Sequence, residues 1–373
     1  MKNIKKDFDI SFYGQNVLED LRKIPGGAGE DSLPVFLDIE TTGLSPAYTQ
    51  VYLVGACYPD AEGWHFIQWF CDDPSEEREV LRRVWDFCRS ASVLIHFNGD
   101  RFDIPFLEKR AERCRLEADF LSLPSFDLIK PLRLAKPLLK LPDGKLKTWE
   151  RFLGIGREDM YNGGELIEVY KQYIRDHDKE KLRLLLLHNE EDILAMPNFL
   201  PALTYTEIAK GRVKVLNVEE KQSHPGQYRV EIQAAARIPQ PLFLTVGETT
   251  FYMKGDRISL TLPVFSGTMK YFFPNPKDYY YLPAEDEAIH KSVGSFVDKA
   301  HREQATAKTA YTHYTADFLP CFEGLPEIRI FYPEDYTQPD TANGQQPYAA
   351  AQELQARSAS WWERYLREFL AQV

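Results

Sequence analysis

The chain has 373 residues, with 45 Lys and Arg against 56 Asp and Glu and a formal net charge of −11. That length suits two domains, or one large domain with an appendage, and 44% hydrophobic with 13% aromatic residues provides amply for a packed core. The acidic balance argues against a protein that coats nucleic acid along its whole surface, but leaves room for an enzyme with one basic groove and a cation-binding centre. No apolar run approaches the roughly 18–20 residues that span a membrane. The start, MKNIKKDF, is basic and lacks an apolar signal segment, so the expected compartment is the cytoplasm. Cys57, Cys71, Cys88, Cys114 and Cys321 form no CxxC pair and no zinc spacing, and their odd number argues against a disulfide framework.

Residues 1–24 read as a short amphipathic lead, and PGGAGEDS as a flexible connector ending at 32. VFLDIE, QVYLVGACY and WHFIQWF then read as three successive strands. PSEEREVLRRVWDFCRSA has helical spacing with Ser75 as cap, and SVLIHF is a further strand. DIPFLEKRAERCRL reads as a helix from Asp103 with Pro105 in its first turn, and FDLIKPLRLA as a short strand or extended crossing. KLKTWERFLGI, GELIEVYKQYIRD and KEKLRLLLLHNEEDILAMPNFLPALTYTEIA read as helices. Strands, one strand–helix crossover, then helices make a mixed sheet with helices packed on it.

Near residue 205 the pattern changes. KVLNV, YRVEIQAA, PLFLTV, TTFYMKG, RISLTLPV and TMKYFF read as short antiparallel strands with turns at KGD and SGT. LPAEDEAIHKSVGSFVDKAHREQA reads as a helix, EIRIFYPED as a strand, TQPDTANGQQP as a polar loop and AAAQELQARSASWWERYLREFLAQV as a terminal helix. The expected divisions are 1–32, 33–205 and a smaller β-rich α+β domain at 206–373 whose function no motif indicates.

Three short stretches carry chemistry. In VFLDIETTG, Asp38 and Glu40 are two apart on a strand and share one face. Paired carboxylates raise each other's pKa unless a cation lies between them, and Mg²⁺ or Mn²⁺ suits carboxylate oxygens. A surface strand bearing two solvated acids is the plainer explanation. In HFNGDRFDIPFL, Asp103 could cap its helix or face the end of the sheet. In LLLLHNEEDILAM, His188 and Asp192 are four apart on one helix face, although a charged helix end is often no more than solvated.

Taken in order, DIETTG, NGDRFD and the helical His-x3-Asp resemble the DEDD exonucleases, the DnaQ-like branch of the ribonuclease H-like superfamily. NGDRFD is especially similar to the second motif of the proofreading exonuclease of family B DNA polymerases. LKTWERFLGIGREDMYNGGELIEVYKQYI followed by HNEEDIL looks like the stand-alone YprB-type group. The resemblance covers roughly residues 33–203 and implies a ribonuclease H-like mixed sheet flanked by helices. It implies two Mg²⁺ or Mn²⁺ ions on Asp38, Glu40, Asp103 and Asp192, one helping to form hydroxide and the other stabilising the leaving 3′ oxygen. It further implies that Thr41, Thr42, Gly43 and Leu44 contact the terminal nucleotide; Asn98 contacts substrate or only fixes its turn. His188 departs from the pattern: the family's histidine branch places its base five residues before the last Asp, and its tyrosine branch four. At four, His188 remains on the Asp192 face, and an imidazole suits a general base or water-orienting group near neutral pH.

The activity so implied is a metal-dependent 3′→5′ exonuclease acting on ends of single-stranded DNA or RNA. A non-catalytic nucleic-acid-binding or scaffold protein and a structure-specific endonuclease are the alternatives. Lys130–Arg157 collects eight basic residues against Asp143 and Glu150, a candidate phosphate track or an ordinary solvated surface. A second basic cluster, Ile289–Lys308, lies among Tyr279–Tyr281, Tyr311 and Tyr314, and mixed basic and aromatic residues suit single strands. Trp361 and Trp362 could cover a core or meet a protein partner through the C-terminal domain.

Overall fold

The computed structural model describes residues 1–27, 29, 32–220, 226–336 and 346–373. The expected PGGAGEDS connector and TQPDTANGQQP loop lie partly outside them. The chain divides into two compact units, Met1–Thr206 and Glu207–Val373.

In the first unit the strands are β1 (Lys2–Phe8), β2 (Pro34–Thr41), β3 (Val51–Pro59), β4 (Trp64–Phe70), β5 (Val93–His96) and β6 (Ser125–Asp127). They form one sheet in the order β1-β4-β3-β2-β5-β6. The β1–β4–β3–β2 pairs are antiparallel, and β5 and β6 join parallel to β2. β2 is central and covered on both faces. Val35, Phe36 and Leu37 are fully buried, so it reads as a nearly continuous apolar run rather than an alternating one. The first residues are more than a lead. β1 pairs along the whole of β4, and Lys2, Lys5 and Lys6 charge this edge strand, a usual way of discouraging further strand addition.

The helices are α1 (Gln15–Leu21), α2 (Glu77–Cys88), α3 (Asp103–Arg113), α4 (Ile129–Ala135), α5 (Leu146–Leu153), α6 (Gly163–Asp176), α7 (Lys179–Ala195) and α8 (Leu203–Ala209), the last crossing the division between units. Asp73, rather than Ser75, caps the turn that leads into α2, in a capping box with Glu76. FDLIKPLRLA is divided between β6 and α4, where Pro131 is tolerated in the first turn. The long final helix is interrupted at Met196–Ala202, a 3₁₀ segment containing Pro197 and Pro201. The aromatic core includes Tyr52 stacked on Tyr170 at 4.2 Å. A buried Arg110–Glu77 pair at 2.6 Å ties α3 to α2.

The second unit holds three antiparallel sheets: β7-β8-β9, β15-β10-β14-β16 and β12-β11-β13. β7 is Val213–Glu220, β8 Gln227–Val246, β9 Thr249–Pro263, β10 Phe265–Phe272, β11 Tyr279–Leu282, β12 Glu287–His290, β13 Glu303–Gln304, β14 Tyr311–Pro320, β15 Tyr332–Pro333 and β16 Tyr348–Ala350. Segments expected to be separate strands are joined here. YRVEIQAA and PLFLTV are both in β8, whose register shifts around Ile238, where Pro239 and Pro241 cannot donate to a ladder. TTFYMKG and RISLTLPV are both in β9, so KGD is a kink at Gly255 (φ 65°) rather than a turn. SGT likewise lies within β10.

The expected helix over 282–305 is absent. Its first half forms β12, paired with β11, and helix survives only in α9 (Lys291–Gly294) and a 3₁₀ turn at Lys299–His301. Hairpin pairing outweighs local helix propensity there. EIRIFYPED contributes only the short β15, and the terminal helix is broken into α10 (Ala351–Gln355) and α11 (Ala359–Ala371), with Ser358 capping the latter. Trp361 and Trp362 are buried, and the Trp361 indole donates to the Pro326 carbonyl at 3.1 Å. In the second basic cluster, Lys291 and Arg302 lie over the Tyr280 ring at 5.2 and 4.5 Å. All five cysteines are free, and no helix among the described residues is long and apolar enough to cross a membrane.

Candidate active site

The carboxylates gather where β2 ends and α7 crosses it. Asp38 and Glu40 project from one face of β2, as a period of two requires. α7 reaches this face because Gly55 stands opposite Asp38 on β3. A Cβ on Gly55 would lie 2.1 Å from the Asn189 side-chain oxygen, so only glycine lets the helix lie this close. Asn189 is fully buried, accepts from Gln68 Nε2 at 2.9 Å and donates to Asp38 Oδ2 at 2.9 Å. The neighbouring turn of α7 brings His188 Nε2 within 3.5 Å of Glu40 Oε1 and 3.7 Å of Asp192 Oδ2. Glu40, His188 and Asp192 thus offer ligand atoms within 4.8 Å of one another.

Asp103 enters from the start of α3. It does not act as the cap; Phe102 holds that position, and Asp103 Oδ1 instead accepts from Ile39 N, between the two acids of β2, at 3.2 Å. Burial pushes its carboxyl up to about 7. Burial raises Asp38 and Glu40 well above the ordinary carboxylate range, and repulsion from Asp103 and Asp192 adds to it. These acids form one electrostatic group. The solvated-face explanation of HNEED also fails on geometry: His188 and Asn189 are buried, and Glu191 accepts from the backbone of Glu158 and Asp159 at 2.7 and 3.0 Å.

A second layer was not foreseen from the sequence. Asp159, only 4% exposed, takes His188 Nδ1 at 2.7 Å. Burial would raise this carboxyl, but hydrogen bonds from His188, the Tyr161 backbone and Arg157 outweigh it and hold Asp159 at about 2. An ionised carboxylate only accepts, so His188 donates to it through Nδ1, and the ring turns Nε2 toward Glu40 and Asp192. Arg157 belongs to the basic strip of the sequence, yet it is half-buried and surrounded by acids: Nη1 is 2.5 Å from Asp192 Oδ1 and 3.0 Å from Glu150 Oε1, and Nη2 is 3.1 Å from Asp159 Oδ2. Burial pushes Glu150 up to about 7 despite that partner. The loop 154–162 that supplies Arg157 and Asp159 has no regular structure, so no periodicity marks it.

The turn after β2 is stitched to its return. Thr42 Oγ1 accepts from Gln50 N at 2.9 Å, and Thr41 Oγ1 and Thr49 Oγ1 donate to the Gly43 carbonyl at 2.9 and 3.0 Å. A Cβ on Gly43 would lie 2.7 Å from Thr49 Cγ2, so close approach accounts for the glycine. Leu44 and Tyr48 stand 84% and 90% exposed on this turn. Asn98 follows β5 with φ 70°, and its N–H donates to Asp127 Oδ1 at 2.7 Å. A second polar group, His96, Asp100 and Asp127, is satisfied within itself and by Ser125, the Gly99 and Asn98 N–H groups and Lys130.

Residues 35–204 match the family model described as RNase_H superfamily, and the mixed sheet with flanking helices is a ribonuclease H-like fold. That match spans 170 of the 373 residues, so over this stretch the chain is similar to ribonuclease H-like superfamily domains. Among curated proteins, it is 32% identical over 116 residues to a DNA polymerase of Pyrococcus glycovorans, which covers 29% of this chain and 15% of that protein. It is 28% identical over 166 residues to an uncharacterized protein of Methanocaldococcus jannaschii, covering 42% of this chain and 87% of that protein. The chain thus spans less than a sixth of the polymerase it matches. Among solved structures, a family B DNA polymerase of Pyrobaculum calidifontis aligns at 14% identity and TM-score 0.37, over 70% of this chain and 40% of that one. An exonuclease I structure aligns at 15% identity and TM-score 0.33, over 55% of each chain.

Proposed function

We propose that the Met1–Thr206 unit is a divalent-metal-dependent 3′→5′ exonuclease acting on ends of single-stranded DNA or RNA. The observation that carries this reading is the gathering of Asp38, Glu40, Asp103 and Asp192 into one group in which burial and mutual repulsion raise the carboxyls of the first three. Ionising the four together is costly in a folded domain unless a cation joins them. The donor set fits Mg²⁺ or Mn²⁺, being all carboxylate oxygen with no sulfur ligand. Asp38, Glu40, Asp103 and Asp192 would hold two such ions. Bound there, they would supply Lewis-acid charge that makes water acidic and stabilises both oxygens of an in-line phosphoryl displacement.

The chain's own groups do the rest. His188 Nε2, directed at the carboxylate group, takes a proton from the attacking water. Asp159 holds the ring in that tautomer and stabilises the imidazolium that forms. Arg157 steadies Asp192 and Asp159 together. Thr41, Thr42 and Gly43 shape a rigid turn, from which exposed Leu44 meets the terminal nucleotide, while Asn98 contacts the strand from β5. The 3′→5′ polarity rests on the resemblance of DIETTG, NGDRFD and His-x3-Asp to the DEDD exonucleases. One observation favours a non-catalytic nucleic-acid-binding protein: Arg157 already places a positive charge on Asp192.

The test is 5′-labelled single-stranded DNA and RNA with Mg²⁺ or Mn²⁺, beside Asp38→Ala and Asp192→Asn. A ladder shortening from the 3′ end, lost in both variants, is expected. A lone internal cut would indicate an endonuclease. No cleavage, with all three proteins binding alike, would leave a binding protein.

A further inference from the structure

The basic strip Lys130–Arg157 does not form a uniform surface. Lys130 is taken by Asp100, Lys147 by Asp159 at 3.3 Å, and Arg157 by Asp192 and Glu150. Arg133, Lys136 and Lys145 have no ion-pair partner among the described residues, and these three line one cavity of about 560 Å³. No acid lines it; its other walls are Phe97, Asn98, Ile129, Gly144, Leu146 and Trp149. Asp143 is the acid that acts on Lys145 and Lys136, and its carboxylate is already engaged by the Thr148 hydroxyl and Lys145 N–H at 2.5 and 3.0 Å. Three unpaired cations held around one hollow in a chain of net charge −11 repel one another unless an anion joins them.

The cavity draws on elements next to the carboxylate group. β5 pairs parallel with β2 up to Ile95 opposite Phe36, and Phe97 and Asn98 lie in the bend that directly follows it. Trp149 and Glu150 are neighbours on α5, one lining the cavity and the other holding Arg157. We propose that this cavity holds one nucleotide of the single strand, with its phosphate on Arg133, Lys136 and Lys145 and its base against Phe97 and Ile129. The volume has room for one nucleotide. Arg133 provides the forked donor that suits phosphate, and the two ammonium groups act as point charges. The assignment rests on nucleic acid being the substrate, but its readout does not require cleavage.

The experiment uses the full chain in EDTA with fluorescein-labelled single-stranded DNA and RNA, and follows anisotropy over a salt series. The paired variant Lys136→Ala/Lys145→Ala changes side chains on the surface and keeps the core. Its affinity should fall about 10-fold, and the slope of log K against log salt should shrink by about 1.4, two phosphate contacts at ~0.7 each. With metal, KM should rise and kcat should stay within about 2-fold. Unchanged affinity and slope would overturn the proposal. Inorganic phosphate and a nucleoside monophosphate serve as competitors. If only monophosphate binding falls in the variant while strand binding holds, the occupant is a free nucleotide and the strand assignment is overturned. A chain that never cleaves but shows both shifts keeps the cavity and loses the nuclease. One that cleaves with KM unmoved keeps the nuclease and loses the cavity.

Discussion

The two units differ in what they bury. The Met1–Thr206 unit encloses Glu40, Gln68, Glu77, His96, Asp103, Arg110, Asp127, Glu150, Asp159, His188 and Asn189, whereas Thr249 is the buried polar side chain of the Glu207–Val373 unit among the described residues. Both have ample aromatic cores. Burying ionisable groups lowers stability unless each is paired, so a fold that only had to pack would avoid them. The second unit behaves as such a fold. The first accepts strained charge at the end of β2, and places where stability is given up in this manner are candidate sites of chemistry.

The sharpest way to break this contrast is Asp38→Asn. It should reduce cleavage by about 10³-fold, as loss of a central electrostatic group does. It should also lessen the fall of the melting temperature of the metal-free protein with rising pH, because an amide has no proton to lose. A variant that loses activity and stability together would make Asp38 a structural residue. The mirror experiment is in the second unit. Phe251 is fully buried, 5.7 Å from Phe369, and Phe251→Ala should cost about 3–5 kcal/mol there. Denaturant unfolding reads that loss, and kcat on a short oligonucleotide should stay within about 2-fold while the protein is folded.

Asp159→Asn sharpens the assignment of the second layer. Activity should fall by about 10–100-fold, mostly in kcat, as when an orienting partner of a histidine is lost. The ¹⁵N shifts of His188 should show the Nδ1-protonated tautomer losing its dominance. An unchanged tautomer with reduced activity would leave Asp159 with only a packing role.

The smallest expected effect is on pH dependence. Asp103 is held at about 7 against an ordinary 3.8, chiefly by burial. Between those values the unfolded chain releases the proton while the folded chain keeps it, so rising pH favours unfolding. Asp38 and Glu40, also raised well above the ordinary carboxylate range by burial, act in the same sense. The melting temperature of the metal-free protein should therefore fall by several degrees from about pH 5 to about pH 8, and Mg²⁺ or Mn²⁺ should reverse the fall. Asp159, held at about 2, acts in the opposite sense and only below the ordinary carboxylate range. A level or rising profile in the metal-free protein would mean that the acids are compensated within the fold.

The parts of this architecture that were legible in the sequence are those with a period. Asp38 and Glu40 share a face because strands repeat every two residues, and His188 and Asp192 because helices nearly repeat every four. Arg157 and Asp159 lie in a loop without a period, and their partner His188 is some thirty residues away. The sequence places Arg157 in a surface strip, whereas in the fold it is half-buried and paired with acids. Asn189 was hidden by its charged neighbours in HNEED; its burial follows from Gly55 on another element. In the second unit the hairpins β8 and β9 absorb Pro239, Pro241 and Gly255 as irregularities, which sequence reading took for ends. The pairing of β11 with β12 likewise overrode a plausible helix.

Gly55 gives this chain an adjustable part that touches no substrate. One added methyl group would act as a shim against the Asn189 and Ile193 side chains of α7, driving Asn189 from its bond to Asp38 and pressing the helix face that carries His188 and Asp192 away from β3. Gly55→Ala would thus leave every acid and the imidazole in the sequence while changing their spacing. Catalysis could then be tuned by distance alone, something that deletion of any single ligand cannot do.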